Sequence, residues 1–478
     1  MVRRRLALST PRPNPFKGWR AGTVQGAVAT WRLIRYTLQG RQVATAPCTV
    51  PARILLEPST HFWRRALSLF SLLLFAIVFS ACKKSADPVG VWRGIIKNNS
   101  GEEVAFKLEV KREGDKIIGS LVNGDDRTVS SSGSFDGDRL KLRYDFYDAE
   151  LNAVIVGDEL GGGFTRQWRK QTLVRKLRAV RDTGADDTAR AASNPSTEIS
   201  GEWVMRVGEE PKISLWRAAF KQQGSKAQGT IIPLSGDWGE MTGSFENNQL
   251  TLNRFDGINC RVFKATLTPR GALEGFVDFG LSDPKRKVVA ERLTAENKSS
   301  VGSLPDPNNH TRMSNGAEPF RFSFPDPDGK TVSSTDERFK NRVVVVTITG
   351  SWCPNCYDEA PVLQDFYDRY RAQGLEVVAL SFEYTGDAAR DTKQVGIFAK
   401  RLGLTYPMLY AGSVEDSRSK LSQLVNFGAY PTTIFIGRDG LVKRIHAGFE
   451  GKATGDRFVK LKAEMEELIK ELLAGKES

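Results

Sequence analysis

Residues 343–356 read Val343-Val344-Val345-Val346-Thr347-Ile348-Thr349-Gly350-Ser351-Trp352-Cys353-Pro354-Asn355-Cys356. An unbroken β-branched run suits a strand buried on both faces of a parallel sheet. Gly350 and Ser351 carry the chain from that strand into a C-x-x-C motif. Behind the motif, Val362, Leu363, Phe366, Tyr367 and Tyr370 recur at helical spacing. Further on, residues 376–382, 408–410, 432–436 and 441–445 read as strands. The last two flank Asp439-Gly440, a hairpin signature. Residues 394–402 and 458–473 read as helices.

A cysteine at a helix start lies near unpaired N–H groups and the positive end of the helix dipole. That setting favours thiolate over thiol, and the thiolate is the nucleophile. Cys353 is therefore expected at an exposed helix N-terminus, with Cys356 one turn inward. Pro354 lacks an N–H, which costs little in a first turn. Zinc is the competing use of C-x-x-C. The chain offers no second Cys/His pair and three histidines in all, His61, His310 and His446, so no metal is expected.

The order β-CxxC-α-β-α-β-β-α resembles the thioredoxin fold, and residues 318–475 resemble its TlpA/ResA branch of thiol–disulfide oxidoreductases. Three stretches carry the likeness: Phe324-Pro325-Asp326-Pro327-Asp328-Gly329-Lys330-Thr331-Val332, Trp352-Cys353-Pro354-Asn355-Cys356 and Tyr430-Pro431-Thr432-Thr433. A peroxiredoxin-type signature, P-x-x-[ST]-x-x-C, is not met, because Thr347 and Gly350 occupy those positions. The resemblance implies that Cys353 attacks a substrate disulfide and Cys356 resolves the mixed disulfide, closing a Cys353–Cys356 bond. Trp352, Tyr430 and a cis Pro431 are expected to meet the substrate, the proline leaving the Tyr430 backbone free to pair with it. The resemblance also implies protein disulfides as substrates, a membrane thiol donor of the DsbD type and no cofactor. Where thioredoxins carry a buried Asp, this chain has Thr347. Like the TlpA/ResA branch, it places Glu359 three residues after the second cysteine, on the helix face of Cys356. Glu359 is expected to take the proton that Cys356 loses. Glu383, at the end of the next strand, is a second candidate.

Upstream, residues 87–181 and 199–295 read as two copies of one β module. Gly90-Val91-Trp92 matches Gly201-Glu202-Trp203, Gly133-Ser134-Phe135-Asp136 matches Gly243-Ser244-Phe245-Glu246, and Gly163-Phe164 matches Gly275-Phe276. Short alternating runs between Gly/Asp/Asn turns predict six to eight antiparallel strands in each, closed as a small barrel or sandwich. The G-x-W opening resembles that of lipocalin-like barrels, and Trp92 and Trp203 are expected as core plugs. The lone thiol in these modules, Cys260, is expected to be buried and structural. The fold class is thus multidomain: two antiparallel β modules, a linker over residues 296–316, then an α/β thioredoxin-like region from 317 to 478.

The formal net charge of +13 lies wholly in residues 1–84, which hold 14 Lys/Arg and one acid, Glu57. The remainder balances at 55 of each sign, which leaves no basic stripe for nucleic acid. Residues 66–81 carry no charge, follow Arg64-Arg65 and end at Phe79-Ser80-Ala81-Cys82. This pattern over residues 61–82 resembles a bacterial lipoprotein signal, with Cys82 as the lipidated residue. It implies a membrane-anchored protein of the cell envelope that faces the periplasm. Residues 1–60 precede that signal awkwardly and are expected to be an unstructured extension or an upstream start that is not used. A rival reading makes the β modules a cell-envelope binding device and the thioredoxin fold an inert scaffold; Cys353, Cys356 and Pro431 together argue against it. The mature chain is expected to begin at lipidated Cys82. Mass spectrometry of its N-terminal peptide checks this, and any peptide from residues 1–60 would refute it.

Overall fold

The computed structural model describes residues 86–184, 198–280, 285–295, 297 and 304–475. The expected signal, Cys82 and the extension before it lie outside the described residues.

The second β module is a closed barrel of eight antiparallel strands, from Gly201–Val207 to Arg286–Arg292. The first follows the same path but counts nine strands, one more than expected. The reason is local. In the barrel, Met241–Glu246 pairs with Lys226–Ile232 on one side and Gln249–Phe255 on the other. Its counterpart is broken at Ser130-Ser131 into Asp126–Val129 and Ser132–Asp136, each pairing with one neighbour alone. The first module is therefore a barrel split along one strand. Phe255, Cys260 and Val262 of the second module join its hydrophobic core. Cys260 is fully buried, and burial pushes its thiol up to about 12, so it is an inert packing group.

The duplication extends to side-chain chemistry that the motifs did not reveal. Trp92 Nε1 donates to Pro88 O at 2.9 Å, and Trp203 Nε1 donates to Ile199 O at 2.9 Å. Arg181 lies over Trp92, 4.4 Å from the ring centroid, and Arg292 lies 4.8 Å over Trp203. Each guanidinium also donates to two carbonyls of its module's opening segment: Asp87 and Val89 for Arg181, Glu198 and Ser200 for Arg292. Each clamp bridges the seam where the module's first strand meets its last.

The C-terminal region has a five-stranded sheet in the order Met408–Ser413, Leu375–Glu383, Val343–Thr349, Thr432–Ile436, Val442–Ala447. The first three run parallel, and Thr432–Ile436 runs antiparallel to both of its neighbours, Val343–Thr349 and Val442–Ala447. Val343–Thr349 is central and buried at all seven positions, as a strand covered on both faces must be. Helices Pro354–Tyr370, Ala388–Leu402 and Asp456–Leu473 pack on the sheet. Part of the stretch read as linker is structured: Pro307–His310 forms a helical turn, and Asn308 meets His446 at 2.9 Å.

Trp203 is 1% exposed at the base of the barrel clamp. Trp203→Ala should remove its packing and cost about 3–5 kcal/mol. Chemical denaturation followed by circular dichroism would read the loss, and an unchanged midpoint would refute the clamp's role.

Candidate active site

Cys353 is the N-cap of helix Pro354–Tyr370, with Pro354 in its first turn. The backbone turns there from strand to helix, and Cys353 Sγ accepts from Cys356 N at 3.3 Å. This amide hydrogen bond adds to the helix field in stabilising negative charge on that sulfur. The two cysteines are disulfide-bonded, with Cα atoms 5.2 Å apart. Tyr430-Pro431 is a cis peptide, and the Tyr430 carbonyl oxygen lies 3.5 Å from Cys353 Sγ. Trp352 donates from Nε1 to Phe382 O at 2.8 Å, with its ring centroid 5.2 Å from that of Tyr430. The residues singled out from the sequence thus meet at one place.

Glu359 is 1% exposed and sits one turn below Cys356, which is also 1% exposed. Thr347 Oγ1 donates to its Oε2 at 2.7 Å, and Thr433 Oγ1 donates to Oε1. Burial pushes the Glu359 carboxyl up to about 7, against the pull of these two hydroxyls. Glu383, 3% exposed, accepts from Ser351 N at 2.9 Å, Ser351 Oγ at 2.6 Å and Ser381 Oγ at 2.7 Å. Burial lifts it to about 7 as well. It braces the loop before the motif.

One expectation is corrected. Cys353 was to stand at an exposed helix end, yet it is 4% exposed. The two β modules pack on this face. Trp168 of the first module lies 4.1 Å, centroid to centroid, from Tyr384, which lies 4.1 Å from Trp352. Arg166 covers Trp168 at 4.4 Å. Tyr357 donates to Phe146 O at 3.2 Å and meets the ring of Tyr147. From the second module, Ser235 O accepts from Asn355 Nδ2, within the motif itself, at 2.9 Å. Sequence reading missed Trp168, Tyr384 and Tyr357, because an aromatic that closes a domain contact carries no signature of its own. Among the described residues no cluster of three or more His, Cys, Asp or Glu could hold a metal.

The chain is 30% identical over 138 residues to the thiol-disulfide oxidoreductase ResA of Geobacillus thermodenitrificans, spanning 29% of this chain and 72% of that protein. The chain belongs to this ResA-type family. It is a thiol–disulfide oxidoreductase with a thioredoxin-like region at its C-terminus. The ResA of Bacillus anthracis is 27% identical over 31% of this chain and 79% of its own. A family model described as AhpC/TSA matches residues 316–445. The solved putative thiol:disulfide interchange protein DsbE of Chlorobium tepidum aligns over 32% of this chain and 99% of its own, at 20% identity and TM-score 0.25.

In this ResA-type site Glu359 has the burial and the helix position suited to a base for Cys356. Below about pH 7 the carboxyl holds its own proton and cannot serve as a base, and above it the carboxylate is free to take one. Release of a Cys353 mixed disulfide should therefore speed up as pH rises through that value. Glu359→Gln should slow release at least about tenfold and flatten this pH limb, while initial attack by Cys353 changes little. Stopped-flow kinetics with a model disulfide separates the two steps, and release at the wild-type rate would exclude Glu359 as the base.

Proposed function

We propose that the protein is a membrane-tethered, extracytoplasmic reductant of protein disulfides that works through the Cys353/Cys356 dithiol. The observation that carries this reading is Cys353 at the head of its helix, its sulfur receiving the Cys356 amide and lying beside the Tyr430 carbonyl at the cis-proline. In the reduced protein the Cys353 thiolate attacks one sulfur of the substrate disulfide. A mixed disulfide forms and one substrate thiolate leaves, taking up a proton. Cys356 then loses its proton to Glu359 and attacks Cys353 Sγ. The second substrate thiolate departs and takes up the proton held by Glu359, and the Cys353–Cys356 disulfide remains. Two electrons pass from the enzyme dithiol to the substrate disulfide, and two protons end on the substrate thiols. A thiol donor in the membrane restores the dithiol.

The lipoprotein-type sequence ending at Cys82 supports an anchored reading, with the redox region on a membrane tether facing the periplasm. The β modules act as spacer and docking body between the anchor and the chemistry.

The full chain, reduced beforehand, should cleave insulin disulfides and hydroxyethyl disulfide, and Cys353→Ser should abolish both reactions. Cys356→Ser should stop after the first step and hold the substrate on Cys353, seen as an adduct by mass spectrometry. An adduct on any other residue, or undiminished turnover by Cys353→Ser, would refute the dithiol reading.

A further inference from the structure

Two openings flank the reactive pair where the β modules meet the redox region. One lies between the first module and the strand end at Glu383. The stack Arg166–Trp168–Tyr384–Trp352 fills it, leaving about 30 Å³. The other, between the barrel and the cis-proline loop, holds about 620 Å³. Pro233, Leu234 and Ser235 of the barrel form one wall, and Arg418, Phe427 and Ala429 of the redox region form the other. Each wall is one residue or one hydrogen bond away from the motif or the cis-proline peptide. Ser235 O is hydrogen-bonded to Asn355, inside the CPNC motif. Ala429 precedes Tyr430, whose carbonyl lies 3.5 Å from Cys353 Sγ.

We propose that this cleft receives a cysteine-bearing segment of the substrate protein and favours one with an apolar residue and an acidic residue beside its cysteine. The proposal rests on the function argued above, whose substrates are protein disulfides. Cys353 is 4% exposed, so a substrate sulfur must approach where the covering walls stand apart, and of these two openings only this one has the volume for a chain segment. Pro233 and Leu234 are half-buried and offer apolar surface, while Arg418 is exposed. Among the described residues that line the cleft there is no Asp or Glu, and Arg418 sets a positive charge on its wall. A charged wall of one sign selects partners of the other and repels its own. The barrel thereby becomes half of the substrate site.

The test uses the full-length reduced protein and two synthetic peptides, each a symmetric disulfide, with Leu before the cysteine and either Glu or Lys after it. Hydroxyethyl disulfide, too small to need the cleft, is the reference substrate. Wild type should prefer the Glu peptide to the Lys peptide by about fivefold in kcat/KM. Arg418→Glu should invert that preference. Leu234→Glu, a change on the barrel wall, should lower the Glu-peptide rate relative to the reference by a similar factor. Equal rates on the two peptides in wild type would overturn the proposal, and so would variants that leave the peptide ratio where it was. Failure of wild type on hydroxyethyl disulfide would instead bring down the reading of the function itself.

Discussion

A buried carboxylate joins the three pieces on which the site is built. Glu359 lies on the CPNC helix, accepts from Thr347 on the central strand and accepts from Thr433 two residues past the cis-proline. A charged group sealed from water is costly unless it is hydrogen-bonded, and its proton affinity rises. The two hydroxyls make the site tolerable, and burial leaves the group poised near neutrality. The same contacts fix the helix against the sheet and the proline loop against the helix. The spacing between Cys353 and the Tyr430 carbonyl depends on both. Structural support and a proton affinity near neutrality thus meet in one side chain.

Much of the redox region was legible in the chain. The β-branched run over Val343–Thr349 could only be a doubly covered strand, and it is one from end to end. Thr432–Ile436 and its hairpin around Asp439-Gly440 were equally plain, because a continuous β-branched and aromatic run meets a turn signature there. Helix starts were harder. Residues 394–402 gave the end of Ala388–Leu402, while its first turns are polar and begin at an Asp387 cap that carries no apolar period. In the β modules the repeat was visible, but the split strand was not. A break at Ser130-Ser131 looks like any serine-rich turn until Gly119, bonded to Ser130 at both N and O, shows how the gap is bridged.

The chemical residues were legible for a different reason. Sequence-local motifs report groups that lie within one or two turns of each other, and Cys353, Cys356 and Glu359 do. The contacts that close over the motif join nearby Tyr384 to Trp168 and Asn355 to Ser235, partners more than a hundred positions upstream, and no local pattern encodes them. The parts are ordinary: a tryptophan on a barrel strand, a tyrosine after a strand, a serine carbonyl in a loop. Their meaning exists only once the modules fold onto the redox region. Buried contacts of this kind turn a generic thiol site into one whose access is governed by its neighbours.

The Trp–Arg clamps also bear on how such a chain can be assembled. Trp92 sits opposite Arg181 in the strand pairing, and Trp203 sits opposite Arg292. Each module therefore admits and releases the polypeptide at one point on its rim. A body with entry and exit side by side can be spliced into a longer chain, copied or deleted, and the flanking segments still meet across the same short gap. The clamp makes each module a cassette. An ancestral single copy would have needed no redesign of its ends to become two, and the redox region downstream would have registered the change as added cover.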